Sequence, residues 1–189
     1  MKAYEEIIAK YYPKDSLRYK YYYTHSKAVT DLAMRVAGNN PQLEPDIDHI
    51  ETASMLHDIG IFLTDAPQIG CYGDKPYICH GYLGRELLEK EGLPEIAPIC
   101  ERHIGVGITL DEIKRRGLPL PLRDMTPQTI EEKIICYADK FFSKSSEDLT
   151  KPKSIEKITI KLSKHGIEKA EKFREMMELF GAEYVYNEQ

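Results

Sequence analysis

The 189-residue chain has no run of about 18 apolar residues, so no segment of it is expected to span a bilayer. Residues 1–13 mix Glu5 and Glu6 with apolar side chains, which fits neither a basic-then-apolar signal peptide nor a lipidation motif. Cys71, Cys79, Cys100 and Cys136 form no C-x-x-C pair, and a chain this long can stabilise itself without disulfides. They read as reduced, structural thiols in a cytoplasmic protein. Clustered positive charge is also missing: 26 Lys and Arg stand against 31 Asp and Glu, for a formal net charge of -5. A nucleic-acid duplex is therefore not an expected partner, because binding its phosphates needs a basic surface, but a local basic pocket stays open. Internal repeats, low-complexity tracts and clear linkers are absent too, and residues 1–189 read as one domain that could still form a homo-oligomer.

Alternating polar and apolar runs between hairpin turns are lacking, and helical periodicity fills their place, so the expected fold class is all-α. Helices are predicted over 2–12, ending at Pro13, and over 16–37, closed by Gly38-Asn39-Asn40-Pro41. Asp46 is the predicted N-cap of a helix that runs to about residue 58 and stops at Gly60. Pro67, Gly70, Gly73 and Pro76 make 64–79 an exposed loop of a length that often carries function. Helices over 80–91, 95–103 and 110–116 follow. Thr126 as N-cap, with Pro127 at the first helical position, predicts a strong helix to about residue 145, and helices over 154–164 and 167–180 end the pattern.

Polar residues interrupt the apolar stripes of these helices at particular places. Leu17, Tyr21, Ala28, Leu32 and Val36 recur at three- and four-residue steps, and His25 fills the slot between Tyr21 and Ala28. Ile47, Ile50 and Ala53 lead by the same steps to Leu56 and His57, with Asp58 at the edge of that face. His80 opens a helix continued by Leu83, Leu87 and Leu88, and His103 closes one carrying Ile96, Ile99 and Cys100. Asp139 lies between Ile135 and Phe142. Taken singly, each histidine has an ordinary explanation as a core imidazole bonded to a backbone carbonyl. Together, four imidazoles and two carboxylates aimed at one interior need a common partner, and a metal ion is the partner that costs least. His49, beside Asp46 and Asp48 in a first helical turn, is expected to be exposed. His165, before Gly166 at a helix C-terminus, is explained by the helix dipole.

The ordered set of His25 in Tyr23-Thr24-His25-Ser26, His57-Asp58-Ile59-Gly60, and Asp139 in Tyr137-Ala138-Asp139 resembles the HD superfamily of metal-dependent phosphohydrolases over about 23–144. His80 and His103 extend the likeness to its dinuclear members, among them dinucleoside tetraphosphate hydrolases and cyclic-nucleotide and cyclic-dinucleotide phosphodiesterases. The resemblance implies a helical bundle with the helices over 154–181 packed on it. It also implies catalytic roles for His57 and Asp58, a first metal on His25, His57, Asp58 and Asp139, a bridging role for Asp58, and a second metal on His80 and His103. Nitrogen-rich ligation disfavours calcium and suits divalent transition metals, iron or manganese first, with zinc, cobalt and nickel compatible. The substrate it implies is a small phosphorylated molecule, a nucleotide first of all. Ile61 follows Gly60 where many relatives carry lysine, and His80-Gly81-Tyr82-Leu83 stands where the cyclic-dinucleotide group has a Gly-Tyr-Pro signature. The same six ligands also resemble mixed-valence diiron oxygenases of the inositol-oxygenase type, and a non-catalytic regulatory module is a third reading.

Four cations near these ligands are candidates for holding substrate phosphate: Lys140, Lys144, Arg102 and Lys75. Each is also explicable as a solvated surface charge. Lys144 leads, because five positions beyond Asp139 on a continuing helix it would stand above the site with a stem long enough to reach a non-scissile phosphate.

Overall fold

The structure, a computed structural model, describes residues 2–144 and 148–186, apart from the side chain of Ala3. Its regular structure among the described residues is helical apart from one short sheet. The α-helices are α1 (Ala3–Tyr11), α2 (Leu17–Gly38), α3 (Ile47–Leu56), α4 (His80–Lys90), α5 (Pro98–Arg102), α6 (Leu110–Arg116), α7 (Ile130–Lys140), α8 (Ile155–Ser163), α9 (Ile167–Phe180) and α10 (Glu183–Tyr186). Among the described residues the sole sheet is a two-stranded pair, β1 (Asp65–Ala66) and β2 (Cys71–Tyr72), antiparallel and in the register Asp65 to Tyr72. It lies inside the 64–79 loop, where Gly70 turns the chain at φ 77° after a short 3-10 turn.

Capping side chains explain the starts of α2, α3, α6, α7 and α8. Ser16 Oγ accepts from the Tyr19 N–H at 3.2 Å, and Asp46 Oδ1 accepts from the His49 N–H at 2.9 Å. The start of α7 departs from the sequence expectation. Thr129, not Thr126, is its N-cap: the Glu132 N–H donates to Thr129 Oγ1 and the Thr129 N–H donates back to Glu132 Oε2, both at 3.3 Å. Thr129 has a glutamate three residues on and so can form the reciprocal box, whereas the residue three after Thr126 is Thr129 itself. Thr126 instead binds the Asp124 carboxylate. The far end of α7 is also earlier than expected, at Lys140; the expected end, Ser145, lies outside the described residues. α5 is shorter than the predicted 95–103 helix: it begins at Pro98, a residue suited to the first helical position, after Ala97 as N-cap.

α2 packs along α3 and α7, and α9 reaches the same core from the C-terminal side. Tyr22, Val29, Leu32, Ile50, Leu56, Ile134, Tyr137, Phe141, Phe173 and Phe180 are fully buried or nearly so in one apolar cluster. Burying a large aliphatic or aromatic side chain of this kind contributes about 1.5–3 kcal/mol. Polar tips inside the core are satisfied: the Tyr12 hydroxyl donates to the Ile59 carbonyl at 2.9 Å and the Tyr22 hydroxyl to the Met55 carbonyl at 2.7 Å. These two bonds pin the chain on either side of His57 and Asp58. The four cysteines are free and buried. No helix among the described residues is long and apolar enough to cross a membrane.

Close backbone approach brings α4 to the site. A Cβ on Gly60 would run into the His80 carbonyl oxygen and the Gly84 amide nitrogen. On the other face of α4, a Cβ on Gly81 would lie 2.7 Å from the Cys100 carbonyl oxygen. Glycines at these positions let α4 lie against both the 59–63 turn and α5, which places His80 beside Asp58 on one side and His103 on the other.

Candidate metal centre

His25, His57, Asp58, His80 and His103 are buried, and Asp139 is nearly so, its side chain 14 % exposed. They come from α2, the end of α3, the start of α4, the end of α5 and the last turn of α7. Asp58 sits at their centre. Its Oδ2 lies 3.2 Å from His25 Nε2 and 3.0 Å from His57 Nε2. Its other oxygen, Oδ1, lies 3.3 Å from His80 Nε2 and 3.4 Å from His103 Nε2. Asp139 Oδ1 completes the first group, 3.0 Å from His25 Nε2 and 3.6 Å from His57 Nε2. Ligand atoms of His25, His57, Asp58 and Asp139 all fall within 4.8 Å of one another, as do those of Asp58, His80 and His103.

Backbone carbonyls orient three of the imidazoles. His57 Nδ1 donates to the Ser54 carbonyl at 2.6 Å, His80 Nδ1 to the Tyr77 carbonyl at 2.6 Å and His103 Nδ1 to the Ile99 carbonyl at 3.2 Å. With Nδ1 donating in this way, Nε2 of each ring faces Asp58, the arrangement usual for metal-bound histidine. Yet His25 Nε2, His57 Nε2 and both Asp58 oxygens are buried without a hydrogen-bond partner of good geometry. Buried polar atoms left in this state cost about 1–3 kcal/mol each, more when charged. Donors each about 2.1 Å from a common cation at tetrahedral or octahedral angles stand about 3.0–3.4 Å apart, close to the spacings seen. The donor set therefore fits transition-metal cations: one among His25, His57, Asp58 and Asp139, and one among Asp58, His80 and His103.

Electrostatics sort the protonation states. Burial pushes the Asp58 carboxyl up, but the Lys144 ammonium and the His57 ring outweigh it and hold the group well below the usual carboxylate range. Burial raises Asp139 too, and Lys140 and the two nearby histidines reverse the effect. His57 is lowered by burial and raised more by Asp58 and Asp139, to about 9. Burial takes His80 down to about 3 and also lowers His103, leaving both neutral and ready to donate a lone pair.

The four expected phosphate-holding cations fall in different places. Lys140 lines the cavity above the ligands but is buried, with its Nζ 2.8 Å from Asp139 Oδ2 and donating to the His103 carbonyl at 2.9 Å. Lys144 ion-pairs with Asp58 Oδ2. Because α7 ends at Lys140, Lys144 is not one turn further along a helix; the chain turns back and drives its ammonium into the ligand cluster. Arg102 does not reach the cavity, since its guanidinium binds Glu132 at 2.7 Å. Lys75 is exposed, 3.3 Å from Asp74, and also lies off the cavity. His49 is half-buried, not exposed. His165 is exposed but does more than cap a helix, because it lines the same cavity. Sequence reasoning missed Lys153 and Lys161 as well, which also line it; the basic character of the α8 region was the available signal.

The cavity is about 500 Å³, within the range of small-molecule sites. Its floor is the ligand cluster, with His25, Asp58, His80, His103 and Asp139, and its walls include Ile69, Ile104, Phe142, Ile158 and Leu162.

An all-helical fold with a buried histidine and aspartate cluster shared through one carboxylate defines a class of metal-binding helical domain. A sequence profile described as the HD domain matches residues 22–143. The chain belongs to the HD domain family. An uncharacterized protein of Methanocaldococcus jannaschii is 38% identical over 118 residues, 61% of this chain and 62% of that protein. Two proteins named tRNA (cytidine(56)-2'-O)-methyltransferase are also similar: that of Thermoplasma volcanium is 31% identical over 73% of this chain and 35% of its own length. The one from Picrophilus torridus is 37% identical over 63% of this chain and 30% of its own. The chain thus spans less than two thirds of each of these relatives. Among solved structures, the HD domain of L. monocytogenes phosphodiesterase PgpH superposes with a TM-score of 0.54 at 18% identity, covering 99% of this chain and 100% of that one. The same domain in complex with cyclic-di-AMP gives a TM-score of 0.52 at 18% identity, covering 94% and 95%.

Proposed function

We propose that this protein is a metal-dependent phosphohydrolase that cleaves a phosphoester or phosphoanhydride bond in a nucleotide or related small phosphorylated molecule. The observation that carries the reading is the division of Asp58: one oxygen faces His25 and His57, the other His80 and His103. A carboxylate placed this way suits a pair of divalent transition metals, iron or manganese foremost. Bound there, such a pair would supply Lewis-acid activation of water and neutralise charge on the phosphoryl oxygens. The chain's own residues do the rest. Ser54, Tyr77 and Ile99 carbonyls fix the imidazole tautomers, Lys140 ties Asp139 to the His103 backbone, and the apolar cavity wall limits bulk water. The fold shared with phosphodiesterase PgpH supports the reading.

The test is turnover by manganese- or iron-loaded protein against a panel of phosphoesters, nucleotides and dinucleoside polyphosphates, with phosphate release and oxygen uptake followed together. Phosphate release that a chelator abolishes, with no oxygen uptake, is the expected result. Oxygen uptake coupled to substrate loss would assign the site to the diiron oxygenases, and ligand binding without turnover to a regulatory module.

A further inference from the structure

The metal cluster forms only the floor of the cavity. Higher up, α8 and the segments flanking it contribute Lys153, Lys161 and His165. The other cations that line the cavity are already ion-paired: Lys140 with Asp139, Lys144 with Asp58, and Lys169 and Arg116 both with Glu112. Lys153 and Lys161 have no ion-pair partner among the described residues. Unpaired positive charge thus lines one cavity on a chain whose net charge is -5. Phe142, Ile158 and Leu162 put an apolar band into the wall of the same cavity.

We infer that Lys153, Lys161 and His165 form a second anion subsite, which takes the non-scissile phosphate of a substrate carrying two phosphates across a nucleoside body. This rests on the phosphohydrolase reading above and narrows it, from any phosphoester to nucleoside bisphosphates and dinucleotides. The scissile group would lie at the floor, the nucleoside against the apolar band, and the second phosphate among the lysines. The lysines already act on each other. Burial lowers the Lys153 amine first, and against the pull of Asp139 the charges of Lys140, Lys161 and Lys144 lower it further, to about 8. A bound phosphate dianion would relieve that repulsion, and charge-assisted hydrogen bonds to it would favour binding.

Equilibrium titration calorimetry of the manganese-loaded full chain with adenosine 3',5'-bisphosphate and with AMP tests the subsite. Wild type is expected to bind the bisphosphate at least about tenfold more tightly than AMP, a gap of about 1.4 kcal/mol. In the Lys153→Gln/Lys161→Gln double variant the two affinities should converge, with AMP unchanged. Lys164→Gln, at an exposed neighbour that does not line the cavity, should behave as wild type. Equal weakening of both ligands in the double variant, or no weakening of either, overturns the subsite. The metal reading fails separately: if AMP binds equally well with and without manganese, the floor is not a metal-phosphate site. The double variant then still decides on the lysines through the bisphosphate alone.

Discussion

Lys144 places its ammonium on Oδ2 of Asp58, the one carboxylate that both histidine groups share. The side chain is 13 % exposed and Asp58 1 %, so the pair is largely withdrawn from water. In the metal-free protein this lysine supplies the positive charge that a cation would otherwise bring. Lys144→Ala should therefore lower the stability of chelator-treated protein, by up to about 3 kcal/mol, since removing one partner strands a buried charge. Manganese should erase most of that difference, and it should bind the variant more tightly than wild type. Thermal melts with and without metal, plus a manganese titration, check this; an unchanged metal-free melt would show that the pair carries no weight.

Asp58 and His103 should differ in what their loss does to metal content. Asp58 belongs to both ligand groups and His103 to one. Asp58→Ala is expected to retain less than half an ion per chain and no activity, His103→Ala about one ion, and wild type about two, with activity in His103→Ala down by about 100-fold. Elemental analysis of the purified variants, with circular dichroism to verify folding, gives the answer. Equal metal in Asp58→Ala and wild type would remove the bridging role.

The inward direction of His25, His57 and Asp139 was legible because a 3.6-residue period encodes which face of a helix is buried, and each of these residues occupies a slot in an apolar stripe. The all-helical class was legible for the same reason. Other features depend on contacts between residues remote in sequence. Gly60, Gly81 and Gly84 read as ordinary glycines until α4 is seen wedged between the 59–63 turn and α5. Lys144 was misplaced because a helix was carried past Lys140, and four residues of wrong geometry moved its ammonium from above the site to within it. Arg102 has a helical position much like that of a cavity residue, and only the packing of α7 shows that Glu132 takes it. His165 satisfies a local rule for a helix end, which conceals that tertiary packing also turns it towards the cavity.

Proton competition should make metal loading pH-dependent. His57 is raised to about 9 in the metal-free protein, so it carries a proton at neutral pH, and only its neutral form can ligate. His80, lowered to about 3, and His103, also lowered, are already neutral there and release nothing. Loading the group that contains His57 should release about one proton per chain below pH 9. Apparent affinity for the first ion should then fall by about tenfold for each unit below pH 9 and level off above it. Calorimetry at pH 7 in two buffers of different ionisation enthalpy reads the proton count directly. A count near zero would mean that His57 is neutral before the metal arrives.

Gly60→Ala tests whether the second ligand group depends on the close approach of α4. The added methyl would meet the His80 carbonyl oxygen and the backbone of Gly84, both main-chain atoms that no rotamer change can move aside. Overpacking of this kind costs about 1–3 kcal/mol, and it is relieved only by shifting α4 away from the 59–63 turn. His80 opens α4 and would move with it, whereas His25, His57 and Asp139 come from α2, α3 and α7 and would stay. Gly60→Ala should therefore lose the ion held by His80 and His103 while keeping the other, and melt several degrees below wild type. Gly38→Ala is the matched control, because a Cβ there meets no atom within 4 Å. If Gly60→Ala binds two ions as wild type does, the approach of α4 is not what positions His80; if it loses both, the two ligand groups are coupled more tightly than through Asp58 alone.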